Sequence, residues 1–189
     1  LDYLTEGELE WAPMSDNYDR FYIGEKRYDY MAGRDAFIEK MVEYFPTERD
    51  AIVKDVALIR EGTRSVSDWS AGKVMPKWLS KSLNMFGKAQ IPDHLNRTTW
   101  QVLSDLTDND ELKSALTGQW GDMGLPPTKA SFVMHAMIAQ HYIDGAYYPV
   151  GGAQTIAKAM LKPIERAGGA VMTYASVDQV LVEQGKATG

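Results

Sequence analysis

The stretch YYPVGGAQTIAKAM, residues 147–160, joins a short aromatic and apolar run to a predicted helix through a pair of glycines. Glycine-rich turns before helices often bind phosphate, because free backbone N–H groups and the helix dipole favour an anion. This pair lacks the G-x-G-x-x-G spacing of a dinucleotide site. A phosphate-binding loop has a lysine directly after its last glycine, and Lys158 lies too far along the chain for that role. Gly151 and Gly152 therefore predict either a tight strand-to-helix turn or a backbone surface that a flat ligand approaches closely.

The composition limits the classes of function. With 189 residues and a hydrophobic fraction of 44%, the chain is long enough for one domain with a sizeable core. The formal net charge of −6 argues against a general nucleic-acid partner. The sequence has no cysteine, which excludes disulfides, thiolate metal sites and cysteine nucleophiles. No apolar run reaches the ~18 residues of a membrane-spanning helix.

The first half of the chain predicts strands followed by helices. Two β-prone runs flank a polar turn at residues 24–26, which is typical of a hairpin. From Asp35 onward, apolar residues recur at spacings of three and four, which predicts a helix. Pro46 suits the start of a second helix. This helix has an apolar stripe over residues 52–59, and we expect the helix to end at Gly62.

The second half predicts more helices and a return to strands. Residues 97–106 and 109–117 read as two short helices with a polar cap between them. Residues 128–145 are apolar on most faces, which is typical of a buried helix. Residues 169–189 have strand composition, and Gln184-Gly185 predicts a tight turn. The simplest interpretation is one unit of mixed α and β structure.

The stretch KVMPKWLSKSLNMFGK, residues 73–88, is basic within an acidic chain. On a helix its lysines share one side and its large apolar residues the other, which favours a helix in a membrane interface. The alternative is an ordinary surface helix with its lysines in water, and Pro76 limits a regular helix to the part that follows it. The residues predicted at the interface are Lys73, Lys77, Trp78, Lys81, Met85 and Phe86.

The residues alone do not define a catalytic group. His135 and His141 are six positions apart, so a helix does not bring them onto one face to hold a metal. His135 lies in an apolar helix and is expected to be a core histidine. The sequence contains no G-x-S-x-G elbow, H-E-x-x-H helix or Walker sequence. We therefore expect no metal site and assign no catalytic residue.

Two segments together resemble a known family. They are GQWGDMGLPPTKASFVMHAMIAQHYIDGAYYPVGGAQTIAKAM and IERAGGAVMTYASVDQVLVEQGKATG, residues 118–160 and 164–189. Their ordered pattern is an aromatic Y-Y-P-x-G-G, a helix, a second Gly-Gly, A-x-V-x-x-V and a glycine hairpin. It resembles the FAD-dependent phytoene desaturase, carotenoid isomerase and all-trans-retinol 13,14-reductase family, and the retinol-reductase branch most strongly. The opening LDYLTEGELEWAPM also looks like the segment after the flavin-binding region of that family.

The resemblance implies a fold, a domain organisation and a cofactor. The fold would be α+β, a β-sheet covered by a cluster of helices. The family binds FAD through a G-x-G-x-x-G turn, which this sequence lacks. The chain also starts with leucine and ends in a predicted strand. We therefore expect a truncated piece of a two-domain flavin oxidoreductase, inactive by itself. Residues 1–168 would be the substrate-binding domain with a helical cap, and residues 169–189 would be strands returning to the FAD-binding domain.

The resemblance also implies site residues. The aromatic-Pro-x-Gly-Gly turn of the family lies at the flavin end of the substrate cavity, so Tyr148, Gly151, Gly152 and Gln154 would border the substrate. Val177 matches a family valine whose backbone meets the adenine end of FAD.

The activity implied is that of an oxidoreductase acting on conjugated C–C double bonds of a lipophilic polyene, a retinoid or carotenoid. The protein would be cytoplasmic or peripherally bound to a membrane from which it draws the polyene. Two alternatives stay open. One is a stand-alone lipid-binding or membrane-docking module without redox chemistry. The other is a flavoenzyme of the amine-oxidase type, with an amine or a porphyrin precursor as substrate.

Overall fold

A computed structural model describes residues 1–74 and 92–189 of the chain. These residues form two compact units. The terminal unit consists of Leu1–Ala12 and Tyr147–Gly189, and the central unit is Pro13–Ala146. In the described residues, helices predominate and the strands pair as three two-stranded sheets. The predicted α+β class is confirmed, with three small sheets in place of one larger sheet.

The central unit begins with the predicted hairpin. Strand β2 (Asn17–Ile23) pairs antiparallel with β3 (Lys26–Met31), and the last pair is Ile23 with Lys26. Gly24 has a φ of +61°, a conformation that glycine adopts without a steric penalty. The hairpin contributes three tyrosines, Tyr18, Tyr28 and Tyr30, to the core.

Helix α2 (Arg34–Tyr44) packs on this hairpin, and a 3₁₀ turn (Pro46–Glu48) leads into helix α3 (Arg49–Val74). The ring of Tyr30 meets that of Phe37 edge-on, with 5.1 Å between the centroids. The predicted apolar stripe of α3 is buried, as expected; its members are Ile52, Val56 and Ile59.

The expectation that Gly62 ends this helix is wrong, because α3 continues to Val74. Gly62 lies where α3 packs against α6 (Phe132–Tyr142). A Cβ atom added at Gly62 would be 2.9 Å from the Cβ of Ala136. The glycine therefore permits a close helix–helix contact and does not serve as a helix cap.

Two short helices follow, as predicted, after a 3₁₀ turn at Asp93–Asn96. Helix α4 (Thr99–Ser104) begins with a capping box in which Thr98 and Gln101 bond each other's backbone N–H groups. Helix α5 (Asp110–Leu116) begins at Asn109, whose Oδ1 accepts two backbone N–H bonds at 3.1 Å each. These caps satisfy N–H groups that a helix leaves free at its start.

Helix α6 follows a 3₁₀ segment at Gly118–Met123 and is buried along one side only. Phe132, His135 and Ala136 are buried, whereas Met134 and Met137 are exposed. The prediction of a helix is confirmed here. Apolar residues are spread around the whole helix in the sequence, so the sequence pattern does not indicate which side faces the core.

The terminal unit contains the remaining elements, α1 (Asp2–Thr5), β1 (Trp11–Pro13), β4 (Tyr147–Pro149), α7 (Gln154–Arg166), β5 (Val182–Glu183) and β6 (Lys186–Ala187). Strands β1 and β4 pair, and the N–H of Val150 donates to the carbonyl of Glu10 at 2.9 Å. Strands β5 and β6 form the predicted hairpin around Gln184-Gly185. Two ion pairs join α7 to the start of the chain: Lys162 with Glu8 at 2.6 Å, and Arg166 with Glu6.

Candidate functional site

The glycine pair forms the turn between β4 and α7. Gly151 and Gly152 have φ values of +86° and +89°, where other residues are strained. The N–H of Gly152 donates to the carbonyl of Pro149 at 3.0 Å. The hydroxyl of Thr155 donates to the carbonyl of Gly152 at 2.7 Å. The predicted tight turn is confirmed, and its backbone conformation requires both glycines.

One side of this turn is open. A Cβ added at Gly152 would meet no heavy atom within 4 Å, whereas one at Gly151 would lie 3.0 Å from Thr155. Tyr148 and Gln154, on either side of the glycines, are both exposed. The four residues predicted to border a substrate therefore share one exposed turn. Their contact with a ligand stays a prediction.

Val177 lies in residues 170–180 of the terminal unit, a segment that forms neither helix nor strand. Its side chain is 79% exposed. Within the part of the chain that the structure describes, this segment makes no backbone hydrogen bond. Backbone N–H and C=O groups in folded proteins normally find partners, so the segment is able to pair with another strand or with a ligand. A role for Val177 at a cofactor stays a prediction.

The predicted membrane-interface stretch is described only at its start. Lys73 lies in the last turn of α3, with its Nζ 5.0 Å from the centre of the Trp69 ring. The positions Lys77, Trp78, Lys81, Met85 and Phe86 lie outside the described residues. No helix among the residues described is long and apolar enough to cross a bilayer.

Two buried ionisable groups lie in the central unit without an evident catalytic use. Burial lowers the pKa of His135 to about 4, and its Nε2 has no hydrogen-bond partner. The expectation of a core histidine is confirmed. Burial raises the pKa of Asp55 to about 7, and neither carboxylate oxygen has a partner. The sequence interpretation missed Asp55, although it falls three positions after Ile52 on the apolar face of α3.

Among the described residues, each unit has a depression with a largely apolar lining that the sequence does not predict. In the terminal unit a groove of about 710 Å³ lies between α1 and α7. We call it the α1–α7 groove; its lining consists of Asp2, Tyr3, Leu4, Glu6, Met160, Pro163, Ile164 and Ala167. In the central unit an aromatic pocket of about 330 Å³ includes Phe21, Trp100 and Trp120. Among the described residues, no cluster of His, Asp or Glu is arranged to hold a metal ion.

Comparison with curated proteins finds relatives along the whole chain. An all-trans-retinol 13,14-reductase from Rattus norvegicus is 36% identical over 198 residues and covers the full chain. One from Danio rerio is 34% identical over 194 residues, or 98% of the chain. A neurosporene-forming phytoene desaturase from Cereibacter sphaeroides is 32% identical over 112 residues, 59% of the chain and 21% of its own length. No family model matches the chain.

These similarities define a family of oxidoreductases that includes retinol reductases and phytoene desaturases. The chain belongs to this family, as its motifs predicted. The matches to the all-trans-retinol 13,14-reductases named above extend over essentially all residues of this chain. It spans about a third of the length of those reductases, 32% in each case.

Proposed function

We propose that these residues are part of an FAD-dependent oxidoreductase that acts on conjugated C–C double bonds of a retinoid or carotenoid. The observation that carries the proposal is the identity of 34% and 36% to two all-trans-retinol 13,14-reductases along essentially the whole chain. When bound, FAD would supply the redox chemistry for saturating, desaturating or isomerising a polyene. The residues described here would bind and orient the substrate.

In this proposal the turn between β4 and α7 borders the polyene beside the cofactor. The absence of a side chain at Gly152 and the open space around it support close approach of a flat conjugated chain. The exposed ring of Tyr148 supplies an apolar face on the same turn. Gln154 supplies the adjacent polar group at the start of α7. Together these residues would orient the substrate and exclude water from it.

We further propose that residues 169–189 belong to the FAD-binding domain and that residues 1–168 serve the substrate. Residues 170–180 make no backbone hydrogen bond within the described part of the chain, which supports the first part, because free N–H and C=O groups are available to pair with a sheet. Val177 lies in the middle of this segment, where its backbone would meet the adenine end of FAD. The side chain of Val177 is exposed in the chain as described, so the position is accessible to a cofactor.

A peripheral membrane contact would deliver the lipophilic substrate. The proposal rests on the composition of residues 73–88, which contain four lysines and no acidic residue. Liposome sedimentation with anionic lipid tests it. Replacing Lys73, Lys77, Lys81 and Lys88 by glutamate should abolish sedimentation, because the attraction to anionic headgroups becomes repulsion. Unchanged binding by that variant would exclude electrostatic docking through these lysines.

The function is tested with the full-length protein that contains these residues. The purified protein should show a flavin absorbance spectrum. It should convert all-trans-retinol or phytoene to a product that differs in mass by two hydrogen atoms or a multiple of two, or to an isomer of the same mass that chromatography separates. A protein that binds polyenes without any flavin would instead be a lipid-binding module. A flavoprotein that oxidises amines and leaves both polyenes unchanged would be an enzyme of the amine-oxidase type. Either result would overturn the proposal.

A further inference from the structure

The aromatic pocket of the central unit lies beside exposed apolar side chains. Tyr22 and Trp120, which line it, are 66% and 47% exposed. Leu125 directly precedes two further lining residues, Pro126 and Pro127, and is 49% exposed. Single exposed apolar side chains are ordinary, but several of them side by side mark a site of interaction.

The walls of the pocket are held in place by packing within the central unit. The ring of Phe21 lies 4.8 Å from that of Tyr30, measured between centroids. Phe21 also packs on Gly118, where an added Cβ would lie 2.7 Å from a ring carbon. The Nζ of Lys113 lies 4.6 Å from the centre of the Trp100 ring. The pocket is therefore formed before a partner binds, which reduces the entropy lost on association.

The loop that carries Leu125 is held by backbone hydrogen bonds. The N–H of Trp100 donates to the carbonyl of Pro127 at 3.0 Å. The N–H of Lys129 donates to the carbonyl of Pro126 at 2.8 Å. Leu125 therefore presents its exposed side chain on an ordered loop next to the pocket.

The chemistry of the lining restricts the partner. The residues that line the pocket carry no formal charge, and aromatic rings and prolines predominate among them. Burying a charge there would be costly, so the complementary surface is apolar. Leu125 and Pro126 are such a surface, and they adjoin the pocket. A two-fold rotation that places them against the pocket of a second copy also places that copy's Leu125 and Pro126 against the first pocket.

The charges on either side of Leu125 fit the same two-fold arrangement. Residues 122–129 have the sequence DMGLPPTK, with Asp122 at one end, Lys129 at the other and Leu125 next to the midpoint. Both charged residues are exposed, and Asp122 also interacts with the hydroxyl of Tyr142 in its own chain. When two such segments cross antiparallel about their midpoints, Asp122 of each copy lies opposite the partner's Lys129. Two attractive pairs then flank the apolar contact.

We propose that two copies of the protein associate through this surface, with Leu125 and Pro126 of each copy packed against the aromatic pocket of the other. Both sides of the contact lie within the described residues of the central unit. Neither a flavin nor a polyene enters the inference, so it does not rest on the proposed function. The interface is small, and we expect a dissociation constant on the order of 10 μM.

Sedimentation velocity of the full-length protein measures the association. Between about 1 and 100 μM, the wild-type protein should change from mostly monomer to mostly dimer. Leu125→Asp should raise the dissociation constant at least about tenfold, because it places a carboxylate against an apolar pocket. Met134→Asp is the matched control, since Met134 is 46% exposed and does not line the pocket. This control should associate like the wild type.

An exchange of charges tests the two-fold arrangement. Asp122→Lys and Lys129→Glu should each raise the dissociation constant by about fivefold or more, because two like-charge pairs replace two attractive ones. The double variant restores opposite charges across the interface and should return close to the wild-type value. A double variant that associates no better than the single variants would overturn the arrangement.

Other outcomes would overturn the contact itself. One is a protein that stays monomeric up to about 100 μM. Another is a dimer that Leu125→Asp and Met134→Asp affect equally, since its interface would then lie elsewhere. Flavin absorbance of the same samples keeps the two proposals apart. A dimer without flavin would support the contact and overturn the proposed function, whereas a monomeric flavoprotein that converts retinol would do the reverse.

Discussion

Replacing Asp55 by asparagine should stabilise the protein by an amount that increases with pH. The carboxyl group lies in the core of the central unit, 1% exposed and without a hydrogen-bond partner. Burial raises its pKa to about 7, compared with roughly 3.9 in an unfolded chain. The folded protein thus favours the neutral acid at this position.

The sign and size of the effect follow from proton linkage. Between about pH 4 and 7 the folded state holds a proton on Asp55 that the unfolded state has released, so the free energy of unfolding falls as pH rises. The slope is about 1.4 kcal/mol per pH unit, and the difference of roughly three pKa units gives about 4 kcal/mol in total. The Asp55 contribution is fully present below pH 4 and fully lost above about pH 7.

His135 contributes in the opposite direction. Burial lowers its pKa to about 4, so the unfolded state binds a proton between about pH 4 and 6.5 that the folded state does not. Its contribution to stability therefore rises with pH in that range. The wild-type curve combines both groups, and their opposing slopes largely cancel below pH 6.5. The difference between Asp55→Asn and wild type isolates the contribution of Asp55.

The assay is urea unfolding at pH values from 5 to 8, followed by tryptophan fluorescence and circular dichroism. The stability difference in favour of Asp55→Asn should grow by about 1.4 kcal/mol per pH unit up to pH 7 and then level off. A pH-independent offset is expected as well, because the buried amide still lacks partners. Asp50→Asn removes an exposed carboxylate from the same helix and should show no such pH-dependent gain. A stability difference that stays constant from pH 5 to 8 would show that Asp55 does not keep its proton in the folded state over this range.

Two further predictions concern the packing and the capping of the helices. Gly62→Leu should lower the free energy of unfolding by roughly 1–3 kcal/mol or more by overpacking, because even its Cβ would lie 2.9 Å from that of Ala136. In urea unfolding, Ala136→Gly should restore part of this loss, and additive effects of the two changes would contradict the close contact. Asn109→Ala should cost about 1 kcal/mol, since two N–H groups lose their acceptor. Asp108→Ala is its control, and equal losses would contradict a specific role for Asn109 as the cap.

The elements predicted well from the sequence are those with a local signal. The turn at Gly24, the cap at Asn109 and the hairpin around Gln184-Gly185 depend on residues close in sequence, and all three occur in the structure. The prediction that α3 ends at Gly62 was wrong because a glycine at a helix end and one at a helix crossing have the same local sequence signal. The contact with Ala136, which distinguishes the two cases, is tertiary.

The candidate site also contains some features with a local sequence signal and others that depend on tertiary contacts. The glycine turn at residues 151–152 was recognised from its pattern, because its residue types are constrained by backbone conformation. The α1–α7 groove was not foreseen, because Tyr3 and Ile164 are distant in sequence and meet only through tertiary pairing. Asp55 had a local signal, an acid on an apolar helix face, but its burial depends on the surrounding elements.

Two matched substitutions in the full-length protein test whether the glycine turn borders a polyene substrate. Gly152 and Gly168 have φ values of +89° and +79°, and an added Cβ would meet no heavy atom within 4 Å at either position. Gly152→Ala and Gly168→Ala therefore introduce comparable backbone strain.

The measurement is kcat/KM for the polyene, together with flavin content. We expect kcat/KM to fall about tenfold or more for Gly152→Ala, with flavin retained, and to stay close to the wild-type value for Gly168→Ala. Equal values of kcat/KM for the two variants would contradict the claim that Gly152 contacts the substrate.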